Sequence, residues 1–285
     1  FLTTNTLTIR ADVLEDKGLE PPETMEDLKD VLDQITTSEM NGIGYRGLAG
    51  QLGNVWPWAG FFQTYGGEWF DENWRPAFNN VEGVKATEMF VGLLKDYGAD
   101  GQITWHWTEL QNAFLDGKLG MVWDCDVFRS RAEDPEISKV AGKLGTYYVP
   151  YAKETGVRST GFWIWGVMIP GGSNNKEAAW QFVQWWTSTE VGIHGEYEST
   201  NEALDYLWGK FTNPEGWPSV SEVVIDSIEM ADPDYRPRIP ELPEVGDSVG
   251  IAINEVMTGE KTAQEALDDA AVNVEKIMEE AGYYD

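Results

Sequence analysis

The sequence is poor in cysteine, histidine and basic residues. Its 285 residues include one cysteine, Cys125, and two histidines, so no disulfide can form within the chain and a disulfide-stapled scaffold is excluded. Lysine and arginine number 20 against 49 acidic residues, which gives a formal net charge of −29. Nucleic acids and anionic membranes require a basic excess, so both are disfavoured as partners. The acidity favours a monomer that takes a neutral or cationic small ligand.

Motifs of catalysis and cofactor binding are also missing. The sequence has no G-x-S-x-G nucleophile elbow, no phosphate-binding loop of the G-x-x-x-x-G-K-[ST] type, and no metal-like spacing of Cys125 with His106 or His194. No apolar run approaches the roughly 20 residues that span a bilayer. The chain opens on Phe1 without a signal-peptide pattern, which is typical of an internal start. We therefore expect no cofactor and no metal.

Tryptophan, by contrast, is abundant, and two of the 14 stand in one unusual segment. In a period-2 strand, Trp163 and Trp165 share one face, and Gly166 lets a ligand come close. Two adjacent indole rings predict a flat apolar platform that suits the C–H face of a sugar ring. A buried strand beneath helices is the alternative interpretation of the same segment.

The periodicity of apolar residues predicts an α/β protein. Strands alternate with helices along the chain, which favours largely parallel sheets. Thr24 and Asn80 are predicted helix N-caps. A helix predicted over 175–188 should turn an apolar face inward, with Phe182 and Trp186 on it.

Short motifs in a fixed order extend through nearly the whole chain. They are G-L-E-P-P-E-T at 18–24, G-G at 66–67 with P-A-F-N at 76–79, A-F-L-D-G-K-L-G-M at 113–121, W-G-V-M-I-P at 165–170 with N-K-E-A-A-W at 175–180, and T-G-E-K-T-A-Q-E-A-L at 258–267. Together they resemble the extracellular solute-binding proteins of ABC sugar importers, close to the maltose-binding type. Met25 departs from the pattern, which usually has Trp there.

The resemblance implies a two-lobed, type II periplasmic-binding-protein-like α/β fold whose first lobe is incomplete in this chain. Residues 1–8 and 162–210 are then the crossing strands and the remainder of lobe one, and residues 9–161 and 211–285 form lobe two. The implied protein is periplasmic or extracellular, with a lipid anchor as one option. It delivers a sugar, oligosaccharide or polyol to a membrane permease by hinge closure.

Eight residues on or near the matched motifs form the candidate ligand-binding set. Aromatic rings suit sugar C–H faces, whereas carboxylates and guanidinium groups suit hydroxyls. The candidates are Trp165, Trp163, Trp107, Asp124, Trp56, Trp58, Arg236 and Arg238. Each has a structural alternative: core packing for the indoles, a solvated acidic turn for Asp124, and surface ion pairs for the arginines. An aromatic that the family often has near 245–247 is missing, which favours a smaller sugar or polyol over a maltodextrin.

Two other function classes remain open at this point. A glycoside hydrolase also uses a tryptophan-rich cleft with paired carboxylates, and Asp124 with Asp126 or Glu109 could form such a pair. A structural or adhesive surface protein could use the same fold.

Overall fold

The computed structural model describes residues 2–195 and 206–284. The strands in this part of the chain are Leu2–Arg10 (β1), Asn41–Gly44 (β2), Leu119–Cys125 (β3), Leu144–Tyr147 (β4) and Phe162–Ile164 (β5). The α-helices there are Ala11–Lys17 (α1), Met25–Ile35 (α2), Val55–Thr64 (α3), Val81–Tyr97 (α4), Trp107–Leu115 (α5), Phe128–Ala132 (α6), Lys176–Trp186 (α7), Thr189–Gly195 (α8), Val220–Met230 (α9), Leu242–Thr258 (α10) and Ala263–Glu280 (α11).

The long strand β1 takes part in two sets of pairings. One part lies between β3 and β4 in a sheet of order β2–β3–β1–β4, with Leu7 opposite both Trp123 and Tyr147. Its first residues pair with β5, where Thr3 lies opposite Trp163. β1 thus leads from the main sheet to β5.

The prediction of largely parallel sheets is wrong for the described residues. β1 runs antiparallel to β3, β4 and β5, and only β2 and β3 are parallel. The helices between the strands are long enough for the chain to return in either direction. The alternation of strands and helices along the chain therefore did not determine whether paired strands run parallel or antiparallel.

Side chains cap the helices where the sequence predicted. Thr24 Oγ1 accepts the amide proton of Asp27 at 3.1 Å, and the Asp27 carboxylate accepts that of Thr24 at 3.1 Å. Asn80 Oδ1 accepts from the amide of Gly83 at 3.0 Å. These bonds satisfy amides at the start of α2 and α4 that have no partner within the helix, so both N-cap predictions are confirmed.

The main core contains a cluster of aromatic rings among its aliphatic side chains. The rings of Trp58 and Phe62 stack with centroids 4.6 Å apart, and those of Phe61 and Trp123 stack at 4.3 Å. Trp58 Nε1 donates to Thr87 Oγ1 at 3.0 Å, which satisfies its only polar group. Helices α3, α4, α10 and α11 contribute most of this packing.

Helix α7 lies outside this core. None of its residues is buried, and Phe182 and Trp186 contact each other with ring centroids 5.5 Å apart. The prediction that they face inward is wrong for this structure, because no layer of the described residues covers them. None of the described helices combines the length and the apolarity that crossing a membrane requires.

Candidate ligand-binding site

A cavity of about 390 Å³ lies where β1 passes from the main sheet to β5. Its volume is in the range that holds a small-molecule ligand. Arg46 and Cys125 reach it from the carboxyl ends of the parallel pair β2 and β3, the edge at which open α/β sheets place ligands. The residues that line it are Thr3, Arg46, Gln51, Leu52, Trp56, His106, Trp107, Cys125, Val127, Trp163, Trp165 and Arg236.

Indole rings form much of the cavity wall. Trp163 and Trp165 have ring centroids 6.0 Å apart but are inclined by 56°, so they make an angled surface and not one flat platform. They are 39% and 58% exposed. The buried ring of Trp56 meets that of Trp163 edge-on at 6.3 Å, and Trp107 contacts Phe128 edge-on at 5.4 Å. Two large exposed rings beside two anchored ones form a surface suited to stacking.

The guanidinium group of Arg236 is held between two of these indoles. Its Cζ atom lies 4.7 Å from the ring centroid of Trp56 and 4.8 Å from that of Trp163, within the range of a cation–π interaction. Burial, together with the positive charge of Arg46, lowers the pKa of Arg236 to about 10. Arg236 is therefore charged at neutral pH and is only partly hydrated.

The neighbouring residue, Tyr235, fixes the position of this arginine. Its buried hydroxyl donates to the carbonyl of Trp56 at 2.6 Å and accepts from Asn5 Nδ2 at 2.9 Å. These two bonds tie the loop of Arg236 to α3 and to β1. Because the groups are buried, the bonds hold the cavity wall in one geometry.

An ion pair forms another part of the wall. Arg46 Nε donates to Asp124 Oδ2 at 2.7 Å, and Arg46 Nη2 donates to Asp124 Oδ1 at 2.5 Å. Burial opposes the charged form of Arg46, but the Asp124 carboxylate outweighs it and raises the pKa of the guanidinium. Asp124 lies in β3 and is buried, so the expected solvated turn is wrong at this position. Its carboxylate orients Arg46.

His106 also lines the cavity. Its backbone amide donates to Glu109 Oε2 at 3.1 Å at the start of α5, while its buried Nε2 atom has no hydrogen-bond partner among the described residues. Burial, and then the charge of Arg46, lowers the pKa of His106. Its imidazole is therefore neutral at pH 7.

The loop that leads into α3 adopts an unusual backbone. Gly50, Gln51 and Leu52 have φ angles of 84°, 50° and 57°, a region that side chains with a Cβ atom rarely adopt. Asn54 Nδ2 anchors the loop by donating to the carbonyl of Gly250 at 2.9 Å and to Asn254 Oδ1 at 3.0 Å. Helix α10 thus holds a strained segment against the cavity, as is common at ligand sites.

The structure brings five of the eight candidate residues together at this cavity: Trp56, Trp107, Trp163, Trp165 and Arg236. Asp124 does not line the cavity, but it is hydrogen-bonded to Arg46, which does. Trp58 was expected to face the cavity but is buried in the aromatic core, and Arg238 forms an exposed ion pair with Asp234 at 2.6 Å. Arg238 lines a separate outer hollow of about 560 Å³, which also includes Trp74.

The polar residues of the cavity that were not among the candidates from the sequence include Arg46, His106, Thr3 and Gln51. Arg46 follows a short strand in a glycine-rich stretch, and its position at a strand's carboxyl end was the signal that could have found it. His106 was considered in the sequence only as a metal ligand, and its spacing argued against that role. No pattern within the sequence links it to Arg46, because 60 positions of chain and the turn of the sheet separate them.

The carboxylates that could have formed a hydrolytic pair have structural partners here. Both Asp124 oxygens are bound by Arg46, and Glu109 caps α5. Asp126 is fully buried and does not line the cavity, and one of its oxygens accepts from the amides of Thr4 and Val127. Within the described residues, no group of three or more His, Cys, Asp or Glu side chains is arranged to hold a metal ion; the side chain of His194 lies outside them.

A family comparison decides which class of protein this is. Residues 1–193 match the model of the family described as bacterial extracellular solute-binding protein. The chain belongs to this family. It is 28% identical over 296 residues to the mannitol-binding protein of Pseudomonas aeruginosa, an alignment that covers 96% of this chain and 67% of that protein.

Solved structures agree with this membership. The solute-binding protein superposes with a TM-score of 0.85 on one from Agrobacterium vitis S4 with bound D-mannitol, at 29% identity and covering 99% of this chain and 72% of that one. A second one, from Agrobacterium radiobacter K84 in complex with ribitol, superposes with a TM-score of 0.83 at 28% identity. That match covers 97% of this chain and 70% of the other. The predicted two-lobed type II fold is confirmed, and the chain spans about 70% of the length of these relatives.

Proposed function

We propose that this solute-binding protein is a receptor for a small polyhydroxylated carbohydrate, a sugar or a polyol, which it binds in the 390 Å³ cavity beside Trp165. The observation that carries the proposal is the meeting of Trp56, Trp107, Trp163, Trp165 and Arg236 at the junction of β1 and β5. Indoles suit the C–H faces of such a ligand and guanidinium groups suit its hydroxyls. Relatives named for mannitol and ribitol binding support this ligand class.

The same proposal assigns the protein to import. As a member of an extracellular family, it hands its ligand to the permease of an ABC importer, either free in the periplasm or outside the cell or held by a lipid anchor. It acts as a monomer without binding nucleic acid, as the net charge of −29 favours. The ligand is released unaltered, because the carboxylates near the cavity are engaged by Arg46 and by backbone amides.

The proposed division into lobes places the cavity at a hinge. Residues 1–8 and 162–210 belong to lobe one and residues 9–161 and 211–285 to lobe two; residues 196–205 lie outside the described part. In support, none of the residues of α7 is buried, and the strand that precedes it, β5, pairs with the first residues of β1. A ligand that contacts Trp165 and Arg46 together stabilises the closed arrangement over the open one.

Isothermal titration calorimetry with D-mannitol, ribitol and maltose tests the function. We expect saturable binding of at least one polyol and weaker binding of maltose, because the cavity is small. Long incubation followed by product analysis should return the ligand unchanged. Absence of binding by the folded protein to every sugar, polyol and sugar derivative titrated contradicts the receptor function. A released hydrolysis product contradicts the binding-only role.

A further inference from the structure

The cavity contains hydrogen-bond donors that have no acceptors. Among the described residues, no carboxylate, carbonyl or hydroxyl accepts a hydrogen bond from the guanidinium group of Arg236, and no ion pair involves it. The indoles of Trp56 and Trp163 lie against it. A guanidinium group carries five N–H donors and no acceptor. All five are therefore left to a ligand or to water.

Two further donors add to this excess. Trp56 lines the cavity, and its buried Nε1–H has no hydrogen-bond partner among the described residues. Arg46 uses Nε and Nη2 for Asp124, and its Nη1 atom donates to none of the described residues. An indole nitrogen can only donate. The unsatisfied groups of these three lining residues are thus all donors, and two of the residues are cations.

Acceptors and negative charge are scarce in the same space. No Asp or Glu is among the described residues that line the cavity. The carboxylate bonded to Arg46, that of Asp124, is fully engaged, since Oδ2 accepts from Arg46 and Oδ1 accepts both from Arg46 and from the amide of Cys125 at 2.7 Å. The neutral acceptors are the hydroxyl of Thr3, the exposed amide of Gln51 and the imidazole of His106.

This imbalance distinguishes between ligand chemistries. Each hydroxyl of a neutral polyol brings a donor that needs an acceptor, and the cavity supplies few. A carboxylate only accepts, and its two oxygens match the planar fork of a guanidinium group. Removing an unpaired cation from water is unfavourable. A bound anion compensates for this lost hydration more fully than a neutral hydroxyl does.

Building on the proposed function, we propose that the ligand carries a carboxylate on a polyhydroxylated chain, as in an aldonic or uronic sugar acid, and that Arg236 is its anion-binding residue. Arg46, which also lines the cavity and uses only Nε and Nη2 for Asp124, then donates from Nη1 to another ligand oxygen. The ligand thus differs from the neutral or cationic one that the overall charge favours. Net charge acts over distance and is screened beyond about 8 Å at physiological ionic strength, whereas Arg236 acts at contact.

Matched ligand pairs test the proposal, because each pair differs only in the oxidation of one terminal carbon. The pairs are D-mannitol with D-mannonate, ribitol with D-ribonate, and D-glucose with D-glucuronate. In calorimetric titrations of the purified protein, we expect an acid to bind at least about tenfold more tightly than its neutral partner, the usual range for a charge-assisted hydrogen bond. The affinity for the acid should fall with added salt and that for the neutral partner should not.

A pair of substitutions tests whether Arg236 is the residue that binds the carboxylate. The variant is Arg236→Met, and its control is Arg238→Met. We expect Arg236→Met to remove the preference for the acid, and Arg238→Met, which alters an exposed ion pair outside the cavity, to retain it. If the neutral partners bind as tightly as the acids, the proposed carboxylate on the ligand is wrong and the receptor function is unaffected. If the preference for the acid survives Arg236→Met, the proposed role of Arg236 is wrong. If none of the six compounds binds to the folded protein, both the inference and the receptor function fail.

Discussion

At the scale of single residues, Tyr235 connects the cavity wall to the rest of the molecule. Its buried hydroxyl bonds both the carbonyl of Trp56 and the amide of Asn5. Tyr235→Phe leaves both groups without a partner, so we expect the free energy of unfolding to fall by about 1–3 kcal/mol. Chemical denaturation measures this. In the control Tyr284→Phe, which loses an exposed bond to the carbonyl of Trp74, we expect a change below about 0.5 kcal/mol; equal effects contradict the account.

Trp165 is the residue best placed to stack on a ligand. It lines the cavity and is 58% exposed, whereas Arg236 already lies over the rings of Trp56 and Trp163. Replacing Trp165 with Ala should weaken ligand binding by at least about 1 kcal/mol, or about fivefold in Kd. Titration calorimetry on the variant measures it, with Trp74→Ala in the outer hollow as the control. Unchanged affinity in a folded Trp165→Ala variant removes this residue from the site.

Asp126 should make stability depend on pH. Burial raises its pKa from 3.8 to about 7, although Thr3 Oγ1 and the amides of Thr4 and Val127 stabilise the charged form. The folded state therefore holds a proton that the unfolded state releases, so this contribution is complete below pH 3.8 and is lost as pH rises toward 7. We expect Asp126→Asn to gain stability relative to the unmodified protein across that interval, measured by denaturant titration at several pH values. A difference that does not vary with pH contradicts this.

At the scale of secondary-structure elements, local signals in the sequence were sufficient to predict the starts of α2 and α4. Thr262 Oγ1 accepts the amide proton of Glu265 at 3.2 Å at the start of α11, as the sequence pattern indicates. Thr262→Ala should lower the free energy of unfolding by about 0.5–2 kcal/mol. Thr258→Ala is the matched control, because that hydroxyl bonds only carbonyls of its own helix. Equal losses in the two variants argue against the capping role.

Strand polarity and the environment of α7 were not predictable in the same way. The polarity of β1 depends on which strands it joins far along the chain, such as β5 near residue 163. The apolar stripe on α7 predicts that this face needs a covering layer, and the described residues contain none. Both depend on long-range assembly, which periodicity within one element does not encode.

At the scale of the whole molecule, the site depends on parts of the chain that lie far apart in sequence. The sequence predicted Trp163 and Trp165 because they occur together, and Arg236 because it is a cation in an acidic protein. It did not predict Arg46 and His106, which approach the indoles only after β1, β2 and β3 pair. Trp58, in contrast, was predicted to be at the site and is not. It is two residues from Trp56 in the same helix, but the helical rotation directs its ring into the core, where it stacks on Phe62.

The position of a bound ligand tests the central claim most directly. A crystal structure with the tightest-binding compound of the titrations should show it in the 390 Å³ cavity, in contact with the Trp165 ring and within hydrogen-bond distance of Arg236. A ligand found elsewhere, as in the outer hollow beside Trp74 and Arg238, with the cavity filled only by water, contradicts the account.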